Sequence, residues 1–327
     1  MKWTRRTAVA GLGGSLLASS IGSKATAEEA MKLKPPQEPM IIAHRGASGK
    51  RPEHTLGAYR LGHSLYADAI EPDLVFTKDG HLICRHDRYL STTTNVADLP
   101  QFADRRTLKP GRKEADWFAE DFTLEEIGQL RARTPVPGRK SAFDDTYTIP
   151  TFAEVLEEAE FRYWRLFPEI KQPSVAASLG FDVLKALQPF FDRLNAGKLQ
   201  TSFMQCFEPD FLKSMPKVKN LNKVQLLYLR GPDDWPDMAE IAKYADAIGP
   251  NKSALVTPDL KDSGLVKAAK DAGLKIYPWT FRSDDVPAPF KTPGDEYKAV
   301  FDLGVNGVFT DFPLAAFNAR RDWLKTL

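Results

Sequence analysis

Residues 40–46 read MIIAHRG, an apolar run of four residues that ends in charged side chains. The next apolar run, AIEPDLVF over residues 69–76, carries Glu71 and Asp73 inside it. Short apolar runs that end in charged residues and alternate with amphipathic stretches are typical of parallel strands joined by helices. The pattern therefore predicts an α/β protein with either a barrel or a doubly wound sheet.

The same pattern continues to the end of the chain. The eight predicted strands are Met40–Ala43, Ala69–Val75, Leu82–Arg85, Leu166–Ile170, Ser202–Cys206, Val224–Leu229, Lys275–Trp279 and Gly307–Thr310. Ala247–Gly249 also has strand character, so the count is eight or nine. The predicted helices are Thr55–Tyr66, Thr151–Ala159, Val175–Phe191 and Leu260–Ala272. This count fits a (β/α)8 TIM barrel, although periodicity alone does not close one.

Two stretches interrupt the alternation. The link between the second and third predicted strands is too short for a helical crossover, and Lys78-Asp79-Gly80 supplies a tight turn there. Residues 88–148 are polar and rich in Asp, Arg, Thr and Pro. We interpret them as a small insertion after the third strand, near the active site. The alternative is a disordered linker between two domains.

Residues 1–27 differ in kind from the rest of the chain. The paired Arg5 and Arg6 precede an apolar run of small residues over 8–21, and residues 25–27 fit a small-x-small cleavage site. The segment predicts an export signal of the twin-arginine type, and hence a periplasmic or secreted protein. The alternative is an amphipathic or membrane-anchoring helix, but the run is shorter than the roughly 20 residues that span a bilayer.

This interpretation divides the chain into a signal (1–27), a linker (28–39) and a catalytic barrel (40–327). The net charge of +2 then carries little meaning, because removal of the signal leaves 41 basic against 43 acidic residues. Without a basic excess we expect no nucleic-acid partner. Because no later apolar segment is long enough to cross a bilayer, we also expect no stable membrane insertion. The oligomeric state, monomer or homodimer, stays open.

Carboxylates on the predicted strands suggest a metal site. Glu71 and Asp73 are two apart, so on a strand both lie on one face, separated by about 6.6 Å along the chain. Two like charges there need a cation, and Glu169 can add a third oxygen from another strand. Such a site favours Ca²⁺ or Mg²⁺ over zinc. The alternative is that these residues are ordinary surface acids.

Histidines and cations also lie where predicted strands end. His44 and His86 would flank the carboxylates as a general base and a general acid, although either one alone is more often structural. Arg45 and Lys171 could neutralise phosphate oxygens in a transition state, or could simply pair with the nearby acids.

The motifs that carry these residues closely resemble one known family. They are His44–Gly49 (HRGASG), Pro52–Leu56 (PEHTL), Ile70–Gly80 (IEPDLVFTKDG), Arg85–Asp87 (RHD), Pro168–Lys171 (PEIK), Tyr277–Arg282 (YPWTFR) and Gly307–Pro313 (GVFTDFP). Together they resemble the glycerophosphodiester phosphodiesterase family, in particular its periplasmic bacterial branch. The resemblance spans the chain from about Met40 onward.

The resemblance implies a (β/α)8 barrel and a role for each candidate residue. The implied metal ligands are Glu71, Asp73 and Glu169, with calcium usual in the periplasmic branch and magnesium the alternative. His44 and His86 would be the acid-base pair. Arg45 and Lys171 match phosphate contacts, whereas Glu53 and Trp279 match positions near the glycerol pocket.

The implied reaction is metal-dependent hydrolysis of glycerophosphocholine, glycerophosphoethanolamine and similar diesters to sn-glycerol 3-phosphate and an alcohol. The alternative on the same barrel is a phospholipase of C or D type acting on lipids or lysolipids, which would need an apolar rim. A binding module without activity would have lost one of the metal, acid-base or phosphate positions, and all seven of these are present, namely His44, Arg45, Glu71, Asp73, His86, Glu169 and Lys171.

Overall fold

The computed structural model describes residues 38–139, 142–257, 259 and 261–327. The predicted export signal lies outside these residues, as does the predicted linker up to residue 37. The described strands are β1 (Met40–His44), β2 (Ala69–Glu71), β3 (Asp73–Phe76), β4 (Leu82–Cys84), β5 (Glu169–Ile170), β6 (Ser202–Cys206), β7 (Leu221–Leu227), β8 (Ala247–Pro250), β9 (Lys275–Ile276) and β10 (Gly307–Thr310).

The α-helices alternate with these strands. They are α1 (Leu56–Ser64), α2 (Leu124–Ile127), α3 (Phe152–Arg162), α4 (Pro173–Ser178), α5 (Val183–Asn195), α6 (Pro209–Ser214), α7 (Met238–Ala242), α8 (Leu265–Asp271), α9 (Pro293–Asp302) and α10 (Pro313–Leu324). Short 3-10 helices cover Val96–Asp98, Pro100–Arg105, Ala119–Asp121, Pro232–Asp234 and Lys252–Ala254. Among the described helices, none has the length and apolar character to span a bilayer.

The parallel strands close into a barrel. β1 pairs with β10 on one side and with β2 on the other. Pro72 separates β2 from β3, and the two continue each other as one barrel strand. The order then runs through β5, β6, β7, β8 and β9. The parallel bridge between Phe281 and Thr310 connects the segment after β9 to β10. Counting β2 and β3 together, the described strands form the predicted (β/α)8 barrel.

One of the eight predicted barrel strands is wrong. The ninth run with strand character, Ala247–Gly249, takes its place in the barrel. β4 pairs antiparallel with β3, so Leu82–Arg85 belongs to a hairpin and not to the barrel wall. The connection from Phe76 to Leu82 leaves no room for the crossover that a parallel partner requires. Ala247–Gly249 lies in β8, which pairs parallel with β7 and β9. The predicted tight turn between β3 and β4 is confirmed.

The helix predictions hold in position and differ in length. Thr151 and Glu154 form the predicted capping box at the start of α3. The predicted helix Val175–Phe191 is divided into α4 and α5 around Gly180, whose φ of +89° no helix can accommodate. The predicted helix Leu260–Ala272 begins only at Leu265.

Aromatic side chains fill the barrel beneath its mouth. Phe167 stacks on Phe203 with the ring centroids 4.2 Å apart, and the edges of Tyr277 and Phe309 meet Phe167. All four side chains are buried. This plug makes the interior a packed core, so ligands can enter only at its ends.

The segment 88–148, as far as it is described, has its own apolar cluster. Phe102, Trp117, Phe122 and Leu130 are buried there and pack with residues of the β3–β4 hairpin. The hairpin therefore supports this segment beside the carboxyl ends of the barrel strands.

Candidate active site

The carboxyl ends of the barrel strands surround a cavity of about 130 Å³. Seven of the nine predicted site residues line it, namely His44, Arg45, Glu71, His86, Glu169, Lys171 and Trp279. The other two, Glu53 and Asp73, are buried behind this lining. Strand register explains the gathering, because His44 lies opposite Glu71 and Asp73 lies opposite Glu169 on neighbouring strands.

Three carboxylates form a group with the geometry of a metal site. One oxygen each from Glu71, Asp73 and Glu169 lies within 4.8 Å of the others, and all three side chains are buried. Burial raises the pKa of Glu169 to about 8 and, with the charge of Asp73, holds the pKa of Glu71 well above its ordinary value. A cation between these oxygens removes that penalty, and an all-oxygen set suits a hard divalent ion. The three carboxylates therefore fit the divalent cation that the sequence analysis predicted.

Two cations stand among these carboxylates. Lys171 Nζ lies 3.1 Å from Asp73 Oδ1 and 2.8 Å from Glu169 Oε2. The backbone N–H of Arg45 donates to Glu71 Oε2 at 2.7 Å, from a left-handed backbone with φ of +57°. Both side chains pair with nearby acids, which is the alternative that the sequence analysis left open. Both also face the cavity.

Glu53 holds the Arg45 guanidinium from behind. Its carboxylate accepts from Arg45 Nη1 at 3.0 and 3.2 Å, and its side chain is buried. Arg85, itself fully buried, fixes this loop by donating to the backbone oxygen of Glu53 at 2.5 Å. Glu53 thus contacts Arg45 and does not line the cavity.

His54 supports Asp73, one of the three clustered carboxylates, and the sequence analysis did not select it as a site residue. Its Nε2 lies 2.8 Å from Asp73 Oδ2 and its Nδ1 lies 2.9 Å from the Tyr59 hydroxyl. Burial lowers the pKa of His54 to about 4 despite the neighbouring Asp73. The ring is therefore neutral at physiological pH and donates from Nε2 to the carboxylate. Its place within the PEHTL motif was the available signal.

Asp311 is the second residue that sequence reasoning missed. His44 Nδ1 lies 2.7 Å from Asp311 Oδ1. The other oxygen, Oδ2, accepts from Arg139 at 2.8 Å and from Arg282 at 3.0 Å. Burial opposes ionisation of Asp311, but the His44 hydrogen bond and the two arginines outweigh it and lower its pKa. Asp311 directly follows β10, so the rule that selected the other candidates could also have found it.

The two histidines differ in environment. His44 is buried, and burial together with the charge of Arg45 lowers its pKa against the opposing effect of Asp311. The His86 side chain is 34% exposed, and its Nδ1 lies 3.1 Å from Asp87 Oδ1. The His44 imidazole is therefore buried and fixed by its contacts, whereas the His86 imidazole is accessible to solvent.

Trp279 forms an apolar wall of the cavity. Its Nε1–H donates to the backbone oxygen of Gly249 at 2.7 Å, which fixes the indole plane. Phe207 and Tyr228 lie near the ring, with centroids 6.0 and 6.2 Å away. The wall can pack against carbon atoms of a small molecule.

Comparison with known proteins relates this geometry to a family. Residues 44–315 match the model of the glycerophosphoryl diester phosphodiesterase family. A glycerophosphodiester phosphodiesterase of Bacillus subtilis is 31% identical over 288 residues, which cover 86% of each chain. One from Haemophilus influenzae is 29% identical and covers 91% of this chain and 95% of the relative.

Solved structures share the fold. A phosphodiesterase from Oleispira antarctica in complex with the product sn-glycerol-3-phosphate has a TM-score of 0.62 at 22% identity, covering 86% of this chain and 96% of that one. A glycerophosphodiester phosphodiesterase from Thermotoga maritima has a TM-score of 0.55 at 18% identity, covering 86% and 98%. The chain therefore belongs to the glycerophosphoryl diester phosphodiesterase family, and it is a phosphodiesterase.

Proposed function

We propose that the chain hydrolyses glycerophosphodiesters to sn-glycerol 3-phosphate and an alcohol with the help of a divalent cation. One observation carries the proposal: three buried carboxylates within 4.8 Å of one another share a small cavity with His44 and His86. The relative from Oleispira antarctica was solved with sn-glycerol-3-phosphate, which supports the same product here.

In the proposed mechanism, His44 is the general base. An ionised Asp311 can only accept, so the ring proton of His44 stays on Nδ1 and the lone pair of Nε2 is free to take a proton. The lowered pKa keeps His44 neutral at physiological pH. The attacking oxygen belongs to water or to the glycerol 2-hydroxyl of the substrate.

His86 is the general acid in this mechanism. It donates a proton to the alcohol oxygen as the bond from phosphorus to that oxygen breaks, and Asp87 Oδ1 lies 3.1 Å from its Nδ1. Arg45 and Lys171 face the cavity and neutralise phosphate oxygens. A divalent cation held by Glu71, Asp73 and Glu169 would bind a phosphate oxygen and lower the pKa of the attacking oxygen.

The cation we propose is Ca²⁺, with Mg²⁺ as the alternative, because the three clustered side chains of the described site all offer carboxylate oxygens. We further propose that the chain belongs to the periplasmic branch and is exported through the signal predicted in residues 1–27. N-terminal sequencing of protein recovered from the periplasm tests this, since cleavage would leave an N-terminus near residue 28. Recovery from the cytoplasm alone, with an uncleaved N-terminus, would contradict it.

The substrate class is tested by release of glycerol 3-phosphate from glycerophosphocholine. The purified protein is assayed with calcium, with magnesium and with a chelator. We expect release with a divalent cation and none with the chelator. Absence of release under all three conditions would move the assignment to lipid or lysolipid substrates.

The roles of the two histidines are tested by His44→Ala and His86→Ala. We expect each variant to lose nearly all turnover while its circular dichroism spectrum stays unchanged, because proton transfer contributes about 10²–10⁴ in rate. His81→Ala is the matched control, since His81 is exposed beyond the hairpin turn. More than about a tenth of the rate left in either site variant would contradict its role.

A further inference from the structure

A second cavity, of about 490 Å³, opens next to the one that holds the carboxylates. It lies between the polar segment after the hairpin and the loops that follow β5 and β6. The two cavities share His86, Glu169, Lys171 and Phe207. A substrate whose phosphate lies beside the carboxylates can therefore extend past His86 into the larger space.

The two volumes suit different parts of a glycerophosphodiester. The inner cavity, at about 130 Å³, is the smaller of the two and is lined by two of the carboxylates and both histidines. That space suits a compact phosphate with part of its glycerol. The outer cavity is several times larger, and His86, the proposed acid for the leaving alcohol, stands at its entrance. The leaving alcohol therefore belongs in the outer cavity.

The charged side chains that line the outer cavity form ion pairs, with one exception. Arg88 pairs with Glu120, Arg112 with Asp116 at 3.2 Å, and Lys171 with Glu169 at 2.8 Å. Asp87 has His86 as its partner. Glu208 accepts only from the backbone N–H and hydroxyl of Ser174, both at 3.0 Å, and forms no ion pair with any described residue. The outer cavity, as far as its lining is described, thus has one uncompensated carboxylate.

An aromatic ring stands next to that carboxylate. Phe207, the residue before Glu208, is 44% exposed and lines both cavities. Two other rings on this wall, Tyr89 and Phe118, already have arginine or lysine groups over them. Phe207 has no such cation among the described residues, and Trp279 is its aromatic neighbour in a T-shaped arrangement. An exposed ring without a cation over it, next to a carboxylate without an ion-pair partner, is a favourable place for an organic cation.

We infer that Phe207 and Glu208 bind the positively charged end of the leaving alcohol, so that the enzyme prefers diesters of amino alcohols over uncharged ones. This inference rests on the proposed function of the inner cavity. It assigns head-group selectivity to the loop after β6, which takes no part in the proposed proton transfers.

The test compares glycerophosphocholine with the uncharged-head-group diester glycerophosphoglycerol. In Glu208→Gln we expect the ratio of kcat/KM for the first to that for the second to fall about fivefold, as for loss of one half-buried charge contact. In Glu208→Lys the ratio should fall further. Glu240→Gln is the matched control, because Glu240 is exposed and paired with Lys243. Thermal unfolding of each variant checks that the fold is kept.

Binding of choline chloride, measured by calorimetry, separates this inference from the proposed reaction. Choline that binds the unaltered protein and binds Glu208→Gln more weakly supports the subsite, whether or not glycerol 3-phosphate is released. An unchanged ratio of kcat/KM in Glu208→Gln, or equal choline affinity in both proteins, overturns the inference. A Ser174→Ala variant that reproduces the fall in the ratio would likewise overturn it, because Glu208 would then act only by holding the loop.

Discussion

At the end of β1, the two nitrogens of His44 have different tasks. Nδ1 is bound to Asp311, which leaves Nε2 toward the cavity. The two arginines on the other oxygen of Asp311 keep that carboxylate ionised. One of them, Arg139, comes from the segment 88–148, so a residue remote in sequence helps to orient the imidazole. Neither the contact of His44 with Asp311 nor that of Asp311 with Arg139 has a local sequence pattern, so only the folded structure reveals them.

Asp311→Asn should lower kcat roughly a hundredfold and move the acidic limb of the pH–rate profile to lower pH. The carboxylate raises the pKa of His44, whereas burial and Arg45 lower it. Its loss leaves Asp73 as the remaining acid that raises this pKa, against burial and Arg45, so His44 stays deprotonated to lower pH. Rate profiles from about pH 4 to 9 measure both effects.

Asp284→Asn is the control for this substitution. Asp284 pairs with the same Arg139 and has no contact with His44. We expect its acidic limb to stay where it is. An acidic limb that moves upward in Asp311→Asn would show that Asp311 does not raise the pKa of His44.

His54 should make the folded protein sensitive to mild acid. Its pKa falls from an ordinary 6.5 to about 4 on folding, so the unfolded chain takes up the proton first. The contribution to stability is therefore complete above pH 6.5 and is lost as the pH falls toward 4, by about 3 kcal/mol in all. Urea unfolding at pH 7, 5.5 and 4.5 measures this loss.

His54→Gln should flatten that dependence. The amide can still donate to Asp73 but does not titrate, so the free energy of unfolding should change less between pH 7 and 4.5 than in the unaltered protein. Equal pH dependence in the two proteins would assign the acid sensitivity to other groups.

At the scale of elements, periodicity predicted where strands and helices lie but not every pairing partner. The run Leu82–Arg85 has the composition of a barrel strand, and its antiparallel pairing follows from the length of the preceding link. The run Ala247–Gly249 is only three residues long by sequence pattern, yet its strand closes the ladder between β7 and β9. The composition of a strand indicates how buried it is, whereas the length of the connection before it decides whether it pairs parallel or antiparallel.

The loop between β1 and α1 depends on Gly46. Gly46 has φ of +84°, and a Cβ there would lie 2.6 Å from the backbone carbon of Ala58. Gly46→Ala therefore adds a clash with α1 to the cost of a left-handed backbone. We expect it to lower the free energy of unfolding by about 2 kcal/mol more than Gly180→Ala. Urea unfolding measures both variants.

Gly180 is a close control, because its φ is +89° and a Cβ added there would meet no atom within 4 Å. Gly46→Ala should also reduce turnover, since the displaced loop carries Arg45 and directly follows His44 at the end of β1. Equal loss of stability in the two variants would mean that the loop relaxes away from α1 at little cost.

At the scale of the whole molecule, the barrel gathers charge that no single segment could tolerate. Glu71 and Asp73 come from one barrel strand, Glu169 from the next, and Lys171 follows Glu169. Sequence spacing predicted the carboxylate set because parallel strands all end at one mouth. Strand-end position could have selected Asp311, but the contacts by which His54, Gln205 and Asp311 support the site join segments distant in sequence, and spacing does not reveal them.

A cation that binds this carboxylate set should stabilise the entire barrel. Binding to the folded state alone adds about 2.7 kcal/mol at a concentration of 100 Kd. For a domain of this size we expect the melting temperature to rise by roughly 4–5 °C. Glu169→Gln should abolish most of the rise, whereas Glu296→Gln, which alters a buried carboxylate paired with Lys252, should keep it. Calorimetry with calcium, magnesium or chelator measures the shift without any substrate. A melting temperature that neither ion changes at millimolar concentration would refute the metal site.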